Sequence, residues 1–284
     1  MSVPLQYRIV AQNPAAHRFE VTLRIDAPNP KGQRLTLPAW IPGSYMIRDF
    51  ARNIITIQAE KDGKPVTLEK CDKQTWQLDA VQGPVDIRYQ IYAWDLSVRS
   101  ACLDQTRAYF NGTSVFLRVM GQESVLHQID IVAPQGDELV NWRVATTLPA
   151  MAVDARGFGH YQAPSYDALI DYPVEISDHT PIDFTAAGIP HQMVISGRYL
   201  CDAERLAADL THICDQHVRM YGELPVDRYL FMTMATGDAY GGLEHRDSTS
   251  LMCARDDLPR PGMKEPTEGY RRFLGLCSHE YFHL

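Results

Sequence analysis

The sequence predicts an α+β chain in two parts: an antiparallel β-rich, sandwich-like domain over residues 1–180, then a mixed helix-and-strand segment over 181–284. Three observations predict it. Short runs with an apolar residue at every second position recur through the first part, the pattern of half-buried strands. Turn-forming clusters such as Lys61-Asp62-Gly63-Lys64-Pro65 and Gln82-Gly83-Pro84 punctuate them. Beyond Pro181 and Pro190 the period changes, and apolar residues recur three and four apart, as on one face of a helix.

The elements follow in order. His17 to Asp26 alternates almost without fault, and Val85 to Tyr92 does the same. Ile54–Ile57, Trp76–Leu78, Ser114–Val119 and Gln128–Val132 add shorter β-rich runs. Many short strands with frequent turns favour a sandwich or a twisted antiparallel sheet. In the second part, Val194 and Ile195 lead into a helix from Asp202, a suitable N-cap, to about Tyr221. Leu206, Leu210, Ile213, Cys214, His217 and Tyr221 form its inner stripe. Tyr229–Met234 reads as a buried strand, and the glycine-rich turn Gly237 to Gly242 precedes a strand through Asp247 to Met252. Asp256 to Pro266, with three prolines and a glycine, is a loop. From Thr267 a last helix carries the stripe Tyr270, Phe273, Leu274, Cys277, Tyr281 and Leu284, with His279 and His283 on another face.

At 284 residues the chain is long enough for one large domain or two ordinary ones. Its net charge of −8 is spread among interspersed acids and bases with no polybasic run, which argues against nucleic acid or an anionic membrane as partner. No apolar stretch approaches a membrane span. The start, Met1 to Arg8, lacks the charged and apolar regions of a secretory signal, so a cytoplasmic location is expected. The cysteines contain no CxxC pair and read as reduced thiols rather than a disulfide framework. Cys277 lies near His279 in sequence but on nearly the opposite side of the helix, which assigns it to packing.

Three segments carry chemistry. His279-Glu280-Tyr281-Phe282-His283 is H-E-x-x-H. On a helix it places two imidazoles one turn apart on the same face, suited to two ligands of one tetrahedral zinc, with Glu280 suited to act as general base on metal-bound water. The bland alternative is a surface helix with two histidines. A catalytic zinc needs a third protein ligand, which this chain is expected to lack because nothing follows Leu284; the chain alone is then expected to be inactive. Tyr240-Gly241-Gly242-Leu243-Glu244-His245 places two glycines where a backbone can approach a ligand. An edge strand there suits an extended peptide, and a carboxylate at Glu244 suits a free α-amino group. The alternative is a hairpin turn with a solvated Glu. Trp40 to Asn53, rich in aromatics and with a Pro42-Gly43 turn, is a structured loop or a domain contact, with a catalytic role the lesser reading.

Together, Trp40 to Arg48 (W-x-P-G-S-Y-x-x-R), Gly241 to His245 (G-G-L-E-H) and Ser278 to Leu284 (S-H-E-Y-F-H-L) resemble the glycyl aminopeptidase family of zinc metallopeptidases. The resemblance implies a β-rich N-terminal domain and the first part of a thermolysin-like catalytic domain. It implies one zinc held by His279 and His283, Glu280 as catalytic base, and Gly241, Gly242 and Glu244 binding the peptide backbone and N-terminal amine. Peptides with a small N-terminal residue, glycine or alanine, are the expected substrates. A Glu ligand on the following helix, a transition-state-stabilising group and often a PDZ domain complete the family pattern. His245 stands where relatives with a G-x-M-E-N motif carry Asn, and its role stays open. Two rivals stay open as well: an endopeptidase of the same fold, and a non-enzymatic β-rich binding or scaffold module.

Overall fold

The computed structural model describes residues 3–284, so Met1 and Ser2, part of the stretch read for a leader, lie outside the described residues. It divides into two compact units, Met1–Val144 with Leu148–Ile176, and Ala145–Thr147 with Ser177–Leu284.

The first unit is β-rich. Among the described residues its largest sheet runs, in spatial order, Ala150–Val153, Gly159–Ala163, His127–Val132, Leu5–Asn13, Arg18–Ile25, Val85–Tyr92, Ile54–Lys61 and Lys64–Val66. All neighbours are antiparallel except Leu5–Asn13 with His127–Val132. The alternation read from the sequence is the alternation of burial. Phe19, Val21, Leu23 and Ile25 are fully buried and pair across the sheet with Ile91, Tyr89, Ile87 and Val85. Each such side chain contributes about 1.5–3 kcal/mol of transfer free energy.

One segment departs from expectation. Ser114–Val119 is not a strand: Gly112–Val115 is a helical turn, and only Arg118–Val119 pairs, with Arg34–Thr36. The cause is tertiary. Tyr89, Tyr166 and Tyr7 donate their hydroxyls to the carbonyls of Val115, Phe116 and Leu117 at 2.8, 2.7 and 2.8 Å. Three consecutive acceptors that a strand would have spent on a neighbour are satisfied by buried phenols. Burial raises the pKa of all three above the ordinary tyrosine range, so they remain protonated donors. Deeper in the same unit Arg107 pairs with Glu175, both buried.

The loop from Trp40 to Asn53 also belongs to the first unit. Pro42-Gly43 forms a turn with Gly43 at φ 78° and Ser44 N–H bonded to Ile41 O at 3.1 Å. Ser44 then organises the rest: its carbonyl accepts from Trp40 Nε1 at 2.7 Å and its hydroxyl oxygen accepts from Arg48 Nε at 2.9 Å. Tyr45, Met46 and Ile47 at the tip are exposed. The chain closes with a short 3-10 helix, Phe50–Asn53.

The second unit is a five-stranded sheet ordered Ile182–Ala186, Ile189–Gly197, Tyr229–Thr236, Ser248–Ala254 and Gly241–Glu244. The three central strands are parallel, and Gly241–Glu244 lies antiparallel at one edge. Helices Ala203–Tyr221 and Glu268–Tyr281 bury Leu206, Leu210, Cys214, Tyr270, Phe273 and Cys277 in a core with strand residues such as Phe231 and Leu251. The first of these helices starts where its N-cap Asp202 accepts from Arg205 N–H at 3.1 Å. Among the described residues no helix is long and apolar enough to cross a membrane.

Candidate active site

The H-E-x-x-H segment closes the helix Glu268–Tyr281. Thr267 caps its start by accepting from Tyr270 N–H at 3.1 Å. Arg272 donates to Asp257 Oδ2 at 2.9 Å, and Tyr270 donates to Asp209 Oδ2, on the neighbouring helix, at 2.8 Å. Cys277 lies in the core, where burial pushes its thiol well above the usual range, far from the thiolate a metal requires.

Helical bonding ends earlier than the motif. Residues 280–284 were expected to be wholly helical, but the helix stops at Tyr281, and Phe282 and His283 form a turn. His283 N–H bonds to Glu280 O at 3.3 Å and Leu284 N–H to Tyr281 O at 3.4 Å, the tighter i to i−3 pattern common in a last turn. The one-turn spacing survives. His279 Nε2 and His283 Nε2 lie 3.4 Å apart on exposed rings, with ring planes at 82°. Two imidazole nitrogens on one tetrahedral zinc, each bonded at about 2.0–2.1 Å, are separated by about 3.4 Å, so this pair fits the ion.

The edge strand faces the same place. Ligand atoms of Glu244, Glu280 and His283 lie within 4.8 Å of one another. Glu280 is buried and its carboxylate rests directly on Gly242: a methyl group at Gly242 would lie 2.0 Å from Glu280 Oε1. Gly241 differs, since a side chain there would meet nothing within 4 Å. The strand ends in a tight turn, with His245 N–H bonded to Ser248 O at 2.9 Å and the His245 side chain buried. Glu244, half-buried, is set opposite Thr249 by the antiparallel register with Ser248–Ala254.

The structure thus brings together His279, His283, Glu280, Gly242 and Glu244, with Gly241 beside them on the open side of the strand. The Trp40 to Asn53 loop belongs to the other unit. Two buried or half-buried histidines join the motif helix without any sequence signal to mark them. His191 Nε2 is 2.9 Å from the Tyr281 hydroxyl, and His217 Nε2 is 2.9 Å from Ser278 Oγ. His217 was legible only as part of an amphipathic stripe.

Comparison with known proteins shows the family of the first unit. The family model described as the Peptidase M61 N-terminal domain matches residues 6–178. A search of curated proteins gives no match. Among solved structures, an aminopeptidase N family protein from Idiomarina loihiensis is 44% identical, with a TM-score of 0.95 over 98% of this chain and 47% of that one. The chain therefore spans about half the length of that relative. A two-domain M1 zinc metallopeptidase solved with L-arginine is 12% identical, with a TM-score of 0.50 over 97% of this chain and 63% of that one, and shares the fold alone. With most of its length matched, the chain belongs to the Peptidase M61 N-terminal domain family.

Proposed function

We propose that the full-length protein to which this chain belongs is a zinc aminopeptidase acting on peptides with a small N-terminal residue. The observation that carries the reading is the convergence of Glu244 with Glu280 and His283 within 4.8 Å. A carboxylate beside the reacting centre can pair with a peptide's terminal ammonium, which places the first peptide bond, and no internal one, at the site. The same proximity favours the exopeptidase over an endopeptidase. The preference for glycine or alanine rests on the resemblance of the three motifs to glycyl aminopeptidases.

In this reading His279 and His283 hold the metal. Bound zinc would supply Lewis-acid polarisation of the peptide carbonyl and a lowered pKa for water. Glu280 accepts the proton of the attacking water on its carboxylate and passes it to the leaving amine. Gly242 leaves room for that carboxylate, and Gly241–Glu244 is the end strand of its sheet, where an extended peptide can run alongside. The chemistry needs no nucleic acid or membrane partner.

Glu280→Gln in the full-length protein tests the assignment. The amide cannot accept the proton, so zinc content should equal wild type while turnover falls by a factor of about 10² to 10⁴. Turnover within a few-fold of wild type would remove Glu280 from the chemistry.

A further inference from the structure

Tyr281 lies inside the H-E-x-x-H motif, yet its hydroxyl points away from the metal-binding face. It is fully buried and meets His191 Nε2 at 2.9 Å. His191, on the strand Ile189–Gly197, is itself buried, and its Nδ1 lies 2.9 Å from Ile189 O. A carbonyl can only accept, so Nδ1 carries the proton and Nε2 is bare. The Tyr281 hydroxyl must therefore donate to Nε2. One oxygen of the motif helix is thus held by a directional hydrogen bond to a sheet strand. Burial lowers the pKa of His191, with the Ile189 carbonyl opposing, and this keeps the ring neutral and able to accept.

We infer that His191 is a positioning residue for the metal site, acting through the Tyr281 hydroxyl to fix the rotation of the helix end that presents His279, Glu280 and His283. Side-chain tips sit about 5–6 Å from a helix axis, so a rotation of only 10° moves them by about 1 Å. Metal bonds tolerate only about 0.2 Å. Aromatic packing of the Tyr281 ring on Tyr229 and Phe231, at centroid distances of 4.9 and 6.0 Å, holds the helix against the sheet. Ring packing permits sliding and turning that a directional hydrogen bond forbids. A second contact of the same kind joins His217 to Ser278, so both ends of the Ser278–Tyr281 stretch are tied to buried or half-buried imidazoles.

The inference rests on the metal-binding reading above, and the test separates the two. Full-length apo-protein is titrated with zinc, and the cobalt(II) form is examined by visible absorption, for wild type, His279→Ala, Tyr281→Phe, His191→Leu and His191→Gln. Tyr281→Phe keeps the ring and loses only the hydroxyl. It and His191→Leu should bind zinc about tenfold more weakly and show a shifted cobalt band. His191→Gln, whose amide oxygen can accept the same proton, should recover to within about threefold of wild type. Wild-type zinc affinity and an unchanged cobalt spectrum in Tyr281→Phe and His191→Leu, whatever their melting temperatures, would overturn the inference and leave the proposed function standing. Failure of wild type to bind zinc in a His279-dependent manner would overturn both.

Discussion

Replacing Gly242 by alanine drives a methyl group into the space held by the Glu280 carboxylate. The added carbon would lie 2.0 Å from Oε1, 2.4 Å from Cδ and 2.7 Å from Cγ. Carbon contacts settle at about 3.5–4.0 Å, so the carboxylate must retreat by at least about 1 Å. Gly242 has no left-handed backbone angle that would resist a side chain, so the whole effect is steric. A displacement of about 1 Å in a reacting group costs about 10²-fold in rate. In the full-length protein Gly242→Ala should lower kcat by about that factor on an N-terminal glycine or alanine peptide. Zinc content should be unchanged, because the added methyl group meets Glu280, which is not one of the two proposed ligands. Overpacking should also cost about 1–3 kcal/mol of stability, read by urea unfolding. Gly241→Ala is the control for the steric argument: its methyl group meets open space, so Glu280 stays in place and the stability loss of Gly242→Ala is absent. Steady-state kinetics with metal analysis decides the matter. A Gly242→Ala enzyme within about threefold of wild-type kcat would refute the argument that Glu280 is seated on this glycine.

Two further expectations concern the fold. Glu175→Ala strands the Arg107 charge inside the first unit, where burial disfavours it and Glu175 is the main group that offsets that cost, so unfolding free energy should fall by about 3–5 kcal/mol; a loss below about 1 kcal/mol in denaturant titration would contradict the pairing. Burial lowers the pKa of His127, His191 and His217 below the ordinary value, so the unfolded chain binds more protons as pH falls past the histidine range. Stability is then fully present above about pH 6.5 and declines as pH drops toward the folded values, and the melting temperature should be lower at pH 5.5 than at 7.5. His127 Nε2 is buried without a hydrogen-bond partner, so His127→Leu should flatten part of that decline; an unchanged pH profile would remove His127 from the cause.

Local pattern carried the reading furthest where local pattern decides the structure. Arg18–Ile25 and Val85–Tyr92 alternate in sequence because one face of each is buried and the other is not. The helix Ala203–Tyr221 announces itself by Asp202 and by the period of Leu206, Leu210 and Cys214. The strand Leu5–Asn13 escaped notice because Val10 and Ala11 are both buried, which breaks the alternation near a bulge. Ser114–Val119 looked like a strand because its residue types favour one, and three tyrosines distant in sequence settled it otherwise. At the candidate site the residue types were legible, since H-E-x-x-H and G-G-L-E-H are local. Their relation was not. That Glu280 rests on Gly242, and that His191 holds Tyr281, depends on how the motif helix packs on a sheet whose edge strand Gly241–Glu244 comes earlier in the chain than its neighbour Ser248–Ala254. No spacing within the sequence encodes those contacts.

The central claim is that Glu244 and the motif helix together form an aminopeptidase site. It is tested most directly by hydrolysis of one glycine-initiated peptide, with its amine free or acetylated, by the full-length protein and its Glu244→Ala variant. A charge-assisted contact of about 1.5–3 kcal/mol corresponds to about ten- to a hundredfold in kcat/KM. The account predicts zinc-dependent cleavage of the free peptide at its first bond, little cleavage of the acetylated one, and a loss of that size on the free peptide in Glu244→Ala with metal content unchanged. Equal cleavage of the two peptides by wild type, or the same preference in wild type and Glu244→Ala, would contradict it.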